Sequence, residues 1–250
     1  IDILPKTERA QTHMVFIVVP RFNIMTLITM IETLRIANYL APTSIYSWEV
    51  ASFDGSKIIA SNGMTATIKT ANDNLQSAEF VFILGSWGTE HYQNKKLTAW
   101  LRKRVRAGER ICGVELGSYI VARAGLLDGK LATIHWSWLN GFKENFNRVE
   151  VEESLFTLDR KVMTCSGGLA GVDLMLRLIE EIDGSSFSGE IADQMLHHPI
   201  RSAISPQRGT MGRSTETMRP LLREAMTLIE NNIEEPLTVP QIANLLGVSQ

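Results

Sequence analysis

The chain has 250 residues, with 25 Lys and Arg against 27 Asp and Glu, and a formal net charge of −2. This charge balance excludes strong electrostatic attraction of the whole protein to nucleic acid or to an acidic membrane. Any DNA contact must therefore come from a local surface. The two cysteines, Cys112 and Cys165, are too few for a disulfide framework or a zinc site, and the apolar runs are too short to span a bilayer. We expect a cytoplasmic α/β domain with a smaller appendage, and no membrane partner, metal or cofactor.

The first part of the chain alternates strands and helices. Apolar runs predict strands at Met14 to Val19, Ile45 to Phe53 and Ala78 to Leu84, and a hairpin-like pair is expected after the turn at Asp54-Gly55. Apolar residues at helical spacing predict a helix from Ile24 to Leu40.

A second helix is predicted from Leu97 to Ala107, and it is strongly basic. Its basic residues, counting the two that precede it, are Lys95, Lys96, Arg102, Lys103, Arg104 and Arg106. This face could contact nucleic acid, but an exposed helix face is normally charged, and we favour that simpler interpretation.

The stretch from Ile111 to Ala122 is the most informative of the chain. An apolar run meets Gly113 and Gly117, which flank Glu115, and an amphipathic segment follows at once. This pattern predicts a strand that turns sharply into a helix with Glu115 at the apex of the turn. Such an elbow places one side chain at the carboxyl edge of a parallel sheet, where α/β proteins bind small molecules.

The next stretch continues the alternation. We predict a turn at Gly125 to Gly129, a short strand at Ala132 to Trp136, and paired strands at Val149 to Leu158 and Val162 to Cys165. Gly167 to Gly171 then precedes an apolar helix, Val172 to Ile182. The glycine spacing is not that of a dinucleotide loop, so close packing of helix on sheet explains the cluster better. The whole predicts a mostly parallel sheet with helices on both faces.

The composition changes after Ile200. Residues 201–215 are polar and read as a linker, and a new amphipathic helix runs from Thr217 to Asn231. Leu237 to Ser249 then has Thr238 as an N-cap, Gln241 to complete a capping box, and Gly247 to end the helix. This is the pattern of a helix-turn-helix unit cut off at its recognition helix, although a plain helical hairpin remains an alternative. The predicted division is a tail at 1–12, a sensing domain at 13–200, the linker, and a truncated DNA-binding domain at 216–250.

Several of these stretches together resemble one family. They are Glu32 to Asn38, the elbow, Ala122 to Gly129 with Ala132 to Trp136, and Met163 to Gly168. The chain resembles AraC-family transcription activators whose sensor is a DJ-1/PfpI-like domain with a class I glutamine-amidotransferase-like fold. The resemblance implies a flavodoxin-like sensor, a homodimer, promoter DNA as partner, and a C-terminal pair of helix-turn-helix units. The branch it resembles regulates arginine, glycine betaine and carnitine catabolism.

The resemblance also bears on catalysis. Enzymes of the superfamily use an elbow cysteine with a histidine; His135 matches the histidine, but Glu115 stands at the cysteine position. An acid that many of the enzymes carry corresponds to Thr26, and Cys112, which precedes the elbow, is expected in the core. We therefore predict a regulator and no enzyme. A DJ-1/PfpI-type hydrolase or hydratase with an accessory helical segment is the alternative.

The acidic residue at the elbow indicates the charge of the effector. An elbow carboxylate without a counter-charge favours a cationic or quaternary ammonium metabolite, although Glu115 could instead pair with His135 or a backbone N–H. Indoles can surround such a cation, although Trp136 or Trp138 could equally be core residues. A betaine carboxylate would be received by backbone N–H groups near the elbow. The predicted effector site is Glu115, Trp87, His135, Trp136, Trp138, Leu116 and Gly85, and the predicted DNA contacts are Thr238, Ser249 and Gln250.

Overall fold

The computed structural model describes residues 10–71, 74–208, 220–232 and 237–248. Contacts divide the chain into two compact units, residues 1–207 and 208–250. Residues 201–207, which the sequence assigns to the linker, therefore pack with the first unit. The remaining predicted linker residues after Arg208, and all of the predicted tail before Ala10, lie outside the described residues.

The first unit contains the strands and most of the helices. The strands are β1 (Thr12–Val18), β2 (Tyr46–Ser52), β3 (Lys57–Ile59), β4 (Thr65–Thr67), β5 (Lys69–Thr70), β6 (Phe80–Gly85), β7 (Arg110–Glu115), β8 (Leu131–Ala132), β9 (Glu150–Val151), β10 (Phe156–Thr157) and β11 (Val162–Cys165). The helices are α1 (Ile24–Leu40), α2 (Lys95–Arg106), α3 (Gly117–Arg123), α4 (Leu139–Asn145), α5 (Ala170–Asp183) and α6 (Ser185–Gln194), with a 3-10 turn at Trp136–Trp138.

Seven of the described strands form one sheet in the order β10-β11-β7-β6-β1-β2-β5. Its pairs are parallel except for β10 with β11. Alternate residues of the central strands feed two separate cores, so that Phe16 and Phe82 face one core while Ile17 and Ile83 face the other. Burial on both faces needs helices on both sides, and the predicted α/β architecture is confirmed.

Sequence patterns missed some details between the elbow and α5. Of the predicted strand at Ala132 to Trp136, only Ala132 lies in a strand, which is Leu131–Ala132, because the chain soon enters the 3-10 turn. The predicted strand at Val149 to Leu158 is two strands with different partners, since β9 pairs with β8 and β10 pairs with β11. The predicted pairing of Phe156–Thr157 with Val162–Cys165 is confirmed, as is the hairpin of β3 and β4. Helix α4, in this stretch, and helix α6, after α5, were not predicted.

The second unit contains two described helices, α7 (Pro220–Asn231) and α8 (Val239–Leu245). Thr238 precedes α8 as its N-cap, and its backbone N–H donates to Gln241 Oε1 at 2.8 Å. Gly247 follows with φ of +67°, the left-handed conformation that ends a helix. The predicted capping box is therefore present. No helix among the described residues is long and apolar enough to cross a membrane.

Candidate functional site

The elbow lies at the carboxyl edge of the sheet. Gly85 and Glu115 end the neighbouring parallel strands β6 and β7 in register. Glu115 has φ of +55°, a left-handed conformation that costs a non-glycine residue about 1–3 kcal/mol. A Cβ at Gly117 would lie 1.8 Å from the Ile83 carbonyl oxygen, so only glycine fits where α3 begins. The predicted sharp turn with Glu115 at its apex is confirmed.

Glu115 is buried with only one of its carboxylate oxygens hydrogen-bonded. The residue is 6% exposed, and Oε1 accepts a hydrogen bond from the Ser86 hydroxyl at 2.8 Å. Oε2 is buried, and no described residue gives it a hydrogen bond. Burial raises the pKa of Glu115, while the Ser86 and Asn23 side chains oppose that rise, and no cationic side chain contributes to it. Within the part of the chain that the structure describes, this desolvated carboxyl group has no counter-charge, which is costly unless a ligand supplies one.

A cleft of about 430 Å³ opens beside Glu115. This volume lies within the range of small-molecule sites, roughly 300–1,000 Å³. Its lining combines polar side chains, two indoles and the glycine loop before α5. The lining residues are Asn23, Met25, Ser61, Ser86, Trp87, Glu115, His135, Trp136, Leu155, Ser166, Gly167, Gly168, Leu169, Ala170, Arg201 and Gln207.

Four of the seven predicted effector residues line this cleft. They are Glu115, His135 and two exposed indoles, Trp87 at 59% and Trp136 at 43% exposure. The structure therefore brings together residues from the ends of β6 and β7 and from the turn after β8. The two exposed aromatic surfaces and the carboxylate belong to one concave site.

The other three predicted residues do not line the cleft. Trp138 packs edge-on against Tyr119, with ring centroids 6.5 Å apart, because the 3-10 turn directs its side chain to the core instead. Leu116 is fully buried in the same core. Gly85 is covered by Thr89, whose Oγ1 would lie 2.6 Å from an added Cβ.

The structure does not pair His135 with Glu115. His135 Nδ1 lies 2.8 Å from the Ser137 hydroxyl, and burial lowers the pKa of the imidazole. Among the described residues, no hydrogen bond or ion pair joins His135 to Glu115, whose bonded partner is Ser86. A neutral imidazole can line a cleft for a cation without repelling it.

No described cysteine can serve as the nucleophile. Cys112 is fully buried in the core, as expected, and burial raises its thiol pKa well above the ordinary value. Cys165 is also fully buried, and burial raises its pKa to about 12. Thr26, which the resemblance aligns with the acid of the enzymes, accepts a hydrogen bond from the Gly168 N–H at 2.9 Å and so holds the glycine loop. Gly167 needs its own small size, since a Cβ there would lie 2.7 Å from Glu115 Cβ.

Sequence patterns missed six polar residues of the cleft: Asn23, Ser61, Ser86, Ser166, Arg201 and Gln207. Ser86 lies in the loop after β6. Asn23 caps α1 by accepting hydrogen bonds from the N–H groups of Met25 and Thr26, and an asparagine before a helix is an N-cap signal that the sequence does carry. Arg201 and Gln207 come from the predicted linker and have no local signal.

Two backbone donors near the elbow are already used within the protein. The Leu116 N–H donates to the Gly85 carbonyl at 3.2 Å, and the Gly88 N–H donates to Glu90 Oε2 at 2.7 Å. An anionic ligand group therefore cannot take these donors without breaking a bond. The other backbone N–H groups of the elbow helix N-terminus and of residues 85–88 remain predicted donors to a ligand carboxylate.

The remaining predicted contacts lie elsewhere. Thr238 is exposed at the start of α8, and Ser249 and Gln250 lie outside the described residues. Within α2, Arg104 is buried and pairs with Glu109 at 2.7 Å, so it does not belong to an exposed basic face. Within the described residues, no cluster of three or more His, Cys, Asp or Glu could hold a metal ion.

Comparison with known proteins places the chain in a family. Residues 13–181 match the DJ-1/PfpI family. The HTH-type transcriptional regulator GbdR of Pseudomonas aeruginosa is 33% identical over 247 residues, which are 99% of this chain and 67% of that protein. A crystal structure of an AraC family transcriptional regulator from Pseudomonas putida has the same fold, with a TM-score of 0.69 and 20% identity over 74% of this chain and 99% of that chain.

An enzyme is a more distant relative. The isonitrile hydratase of Pseudomonas putida is 23% identical over 143 residues, which are 57% of this chain and 62% of the enzyme. The match to the family covers most of the α/β unit, including the elbow, His135 and the glycine loop. The chain belongs to the DJ-1/PfpI family and is related to HTH-type transcriptional regulators.

Proposed function

We propose that this protein is a DNA-binding transcription regulator, an activator, whose DJ-1/PfpI domain senses a small cationic metabolite without catalysing its conversion. The similarity to GbdR along almost the whole chain supports the regulator. The observation that carries the sensing role is Glu115, which occupies the elbow apex with one buried, unpartnered carboxylate oxygen in an open cleft.

The charge of the effector follows from this carboxylate. A buried anion without a counter-charge is stabilised by a ligand that brings a positive group to it. Because Glu115 is already buried in the folded protein, its desolvation adds no further cost when the cation binds. Trp87 and Trp136 expose indole faces in the same cleft and would attract that cation by about 0.5–2 kcal/mol per contact.

A zwitterion fits the cleft better than a simple cation. Arg201 lines it, and a guanidinium has five N–H donors, of which Nε and Nη2 bind Asp173 at 3.0 and 2.6 Å. The Gln207 side chain adds a polar amide to the same wall. We therefore propose a betaine or a basic amino acid, with its cation at Glu115 and its carboxylate towards Arg201.

Calorimetry with glycine betaine, carnitine and L-arginine tests the effector class. At least one compound should bind, and Glu115→Ala should weaken that binding. Equal affinity of the variant and the wild type would remove Glu115 from the site. A promoter-reporter assay with the complete protein tests the regulator, because transcription should rise with the bound compound and stay low without it.

The second candidate function is a hydrolase or hydratase, which the similarity to isonitrile hydratase favours. The elbow lacks a thiol, and the described cysteines are buried with raised pKa values, so an acyl or imidoyl intermediate has no described thiolate to form on. Screening against amides, glyoxals and isonitriles distinguishes the two functions. Turnover that His135→Ala abolishes would establish the enzyme.

The proposed partners follow the regulator. Promoter DNA would be bound by the helix-turn-helix domain at 216–250. Its contacts would include Thr238, Ser249 and Gln250. A homodimer and a cytoplasmic location, beside the chromosome, complete the proposal. Size-exclusion chromatography with light scattering tests the dimer directly.

A further inference from the structure

Residues 201–207, here called the closing segment, are fastened to the α/β unit at both ends and in the middle. At the first end, the Arg201 N–H donates to Asp173 Oδ1 at 2.8 Å and its guanidinium holds Oδ2 of the same fully buried carboxylate. In the middle, the Leu155 N–H donates to the Ala203 carbonyl at 2.8 Å. The segment is therefore a docked part of the fold.

Gln207 fastens the other end directly beside the cleft. Its amide nitrogen lies within donating distance of the Ile134 carbonyl at 2.8 Å, the Ser154 carbonyl at 2.9 Å and Thr133 Oγ1 at 3.2 Å. Its Oε1 accepts a hydrogen bond from the Trp136 N–H at 2.7 Å. One side chain thus holds the backbone on both sides of His135, which is itself part of the cleft.

Arg201 and Gln207 line the cleft as well as fastening the segment. A ligand that touches these side chains has more contacts when the segment is docked than when it is released. By linkage, such a ligand must favour docking, and docking must favour the ligand by the same factor. The chain continues from Gln207 through Arg208 towards the helical unit.

We propose that the closing segment completes the effector site and reports its occupancy, so that a bound effector holds residues 201–207 docked and thereby restrains the chain that leads to the helical unit. This inference rests on the proposed function, because it takes the cleft to be the effector site. It assigns Arg201 and Gln207 a role that neither the elbow nor the family match requires.

The variant Gln207→Glu tests the segment with little change in size. The substitution replaces the donating amide by a carboxylate that faces two carbonyl oxygens, so it should undock this end. Ile204→Ala is the matched control, because Ile204 lies in the same segment and is 81% exposed. Hydrogen exchange at the amides of Trp136 and Leu155 reports docking, since both donate to the segment.

In the ligand-free protein, exchange at these two amides should be faster in Gln207→Glu than in the wild type and unchanged in Ile204→Ala. Glycine betaine, carnitine or L-arginine, whichever binds, should slow both amides in the wild type. Gln207→Glu should bind that compound about tenfold or more weakly if the docked population falls to a tenth. Binding of equal strength, or exchange that the compound leaves unchanged, would overturn the proposal.

The same experiment separates this proposal from the proposed function. If a compound binds and Glu115→Gln weakens it while Gln207→Glu does not, the effector site stands and the coupling is overturned. If none of the three compounds binds the wild-type protein, the zwitterion site fails and the coupling fails with it.

Discussion

The substitution Glu115→Gln removes the charge of the elbow and nearly keeps its shape. The Coulomb attraction between a cation and a carboxylate about 4 Å apart is roughly 4 kcal/mol at an effective dielectric constant of about 20, before the cost of desolvating the ligand is subtracted. After desolvation we expect a net gain of about 1.5–3 kcal/mol, the size of a hydrogen bond to a charged group, even for a quaternary ammonium, which has no N–H to donate. Since Glu115 is already buried without a counter-charge, we expect the loss to lie in that range, roughly 10- to 150-fold in Kd.

Calorimetry on the compound that binds the wild type gives this ratio. Glu79→Gln is the matched control, because Glu79 is exposed and precedes β6, at the opposite edge of the sheet from Glu115. The control should bind as the wild type does. If Glu115→Gln changed Kd by less than about threefold, well under the roughly 1.4 kcal/mol that a tenfold change represents, the cation would not contact this carboxylate and the charge argument would be refuted.

The remaining predictions concern pH, stability and the indoles. Burial raises the pKa of Glu115, and a bound cation lowers it again, so cation binding should release a proton. Affinity for the cation should therefore increase with pH up to the raised pKa. Calorimetry of Glu115→Gln at several pH values should show no such increase. Because the folded-state pKa is raised, wild type should lose stability relative to Glu115→Gln as pH rises from the ordinary glutamate range through that raised pKa; parallel urea curves for the two proteins would contradict this. Gly117→Ala should cost at least about 3 kcal/mol in urea unfolding or prevent folding, because its Cβ would lie 1.8 Å from the Ile83 carbonyl, whereas Gly189→Ala, whose Cβ meets nothing within 4 Å, should not destabilise. Trp87→Ala and Trp136→Ala should each weaken binding by about 0.5–2 kcal/mol, and Trp138→Phe, away from the cleft, should leave Kd unchanged.

The sequence predicted the elbow because its signal is local. Two glycines that flank a single acid between an apolar strand and a helix are compatible with few backbone conformations other than a sharp turn. The close approach of Gly117 to the Ile83 carbonyl shows why glycine is needed there. The alternation of apolar runs likewise predicted a parallel sheet, since strands buried on both faces have no other cover. The glycines at 167–171 were assigned to close packing of helix on sheet, and the contacts differ: Gly167 approaches Glu115 at the end of β7, whereas Gly171 approaches Met30 of α1.

The wall of the cleft could not be predicted in the same way. Gln207 binds groups at Thr133 and Ser154, which are 74 and 53 residues away, and no periodicity links them. The polar composition of residues 201–207 is that of a linker, so their docking depends on tertiary contacts alone. Trp138 shows the converse: its closeness to His135 in sequence suggested the site, but one 3-10 turn separates the two side chains.

A crystal structure of the protein with the compound that binds most tightly tests the central claim most directly. The account predicts density for a positively charged group against Glu115 and between the indoles of Trp87 and Trp136, with the closing segment in place. Density elsewhere, or a ligand in this cleft that turns its cation away from Glu115, would contradict it.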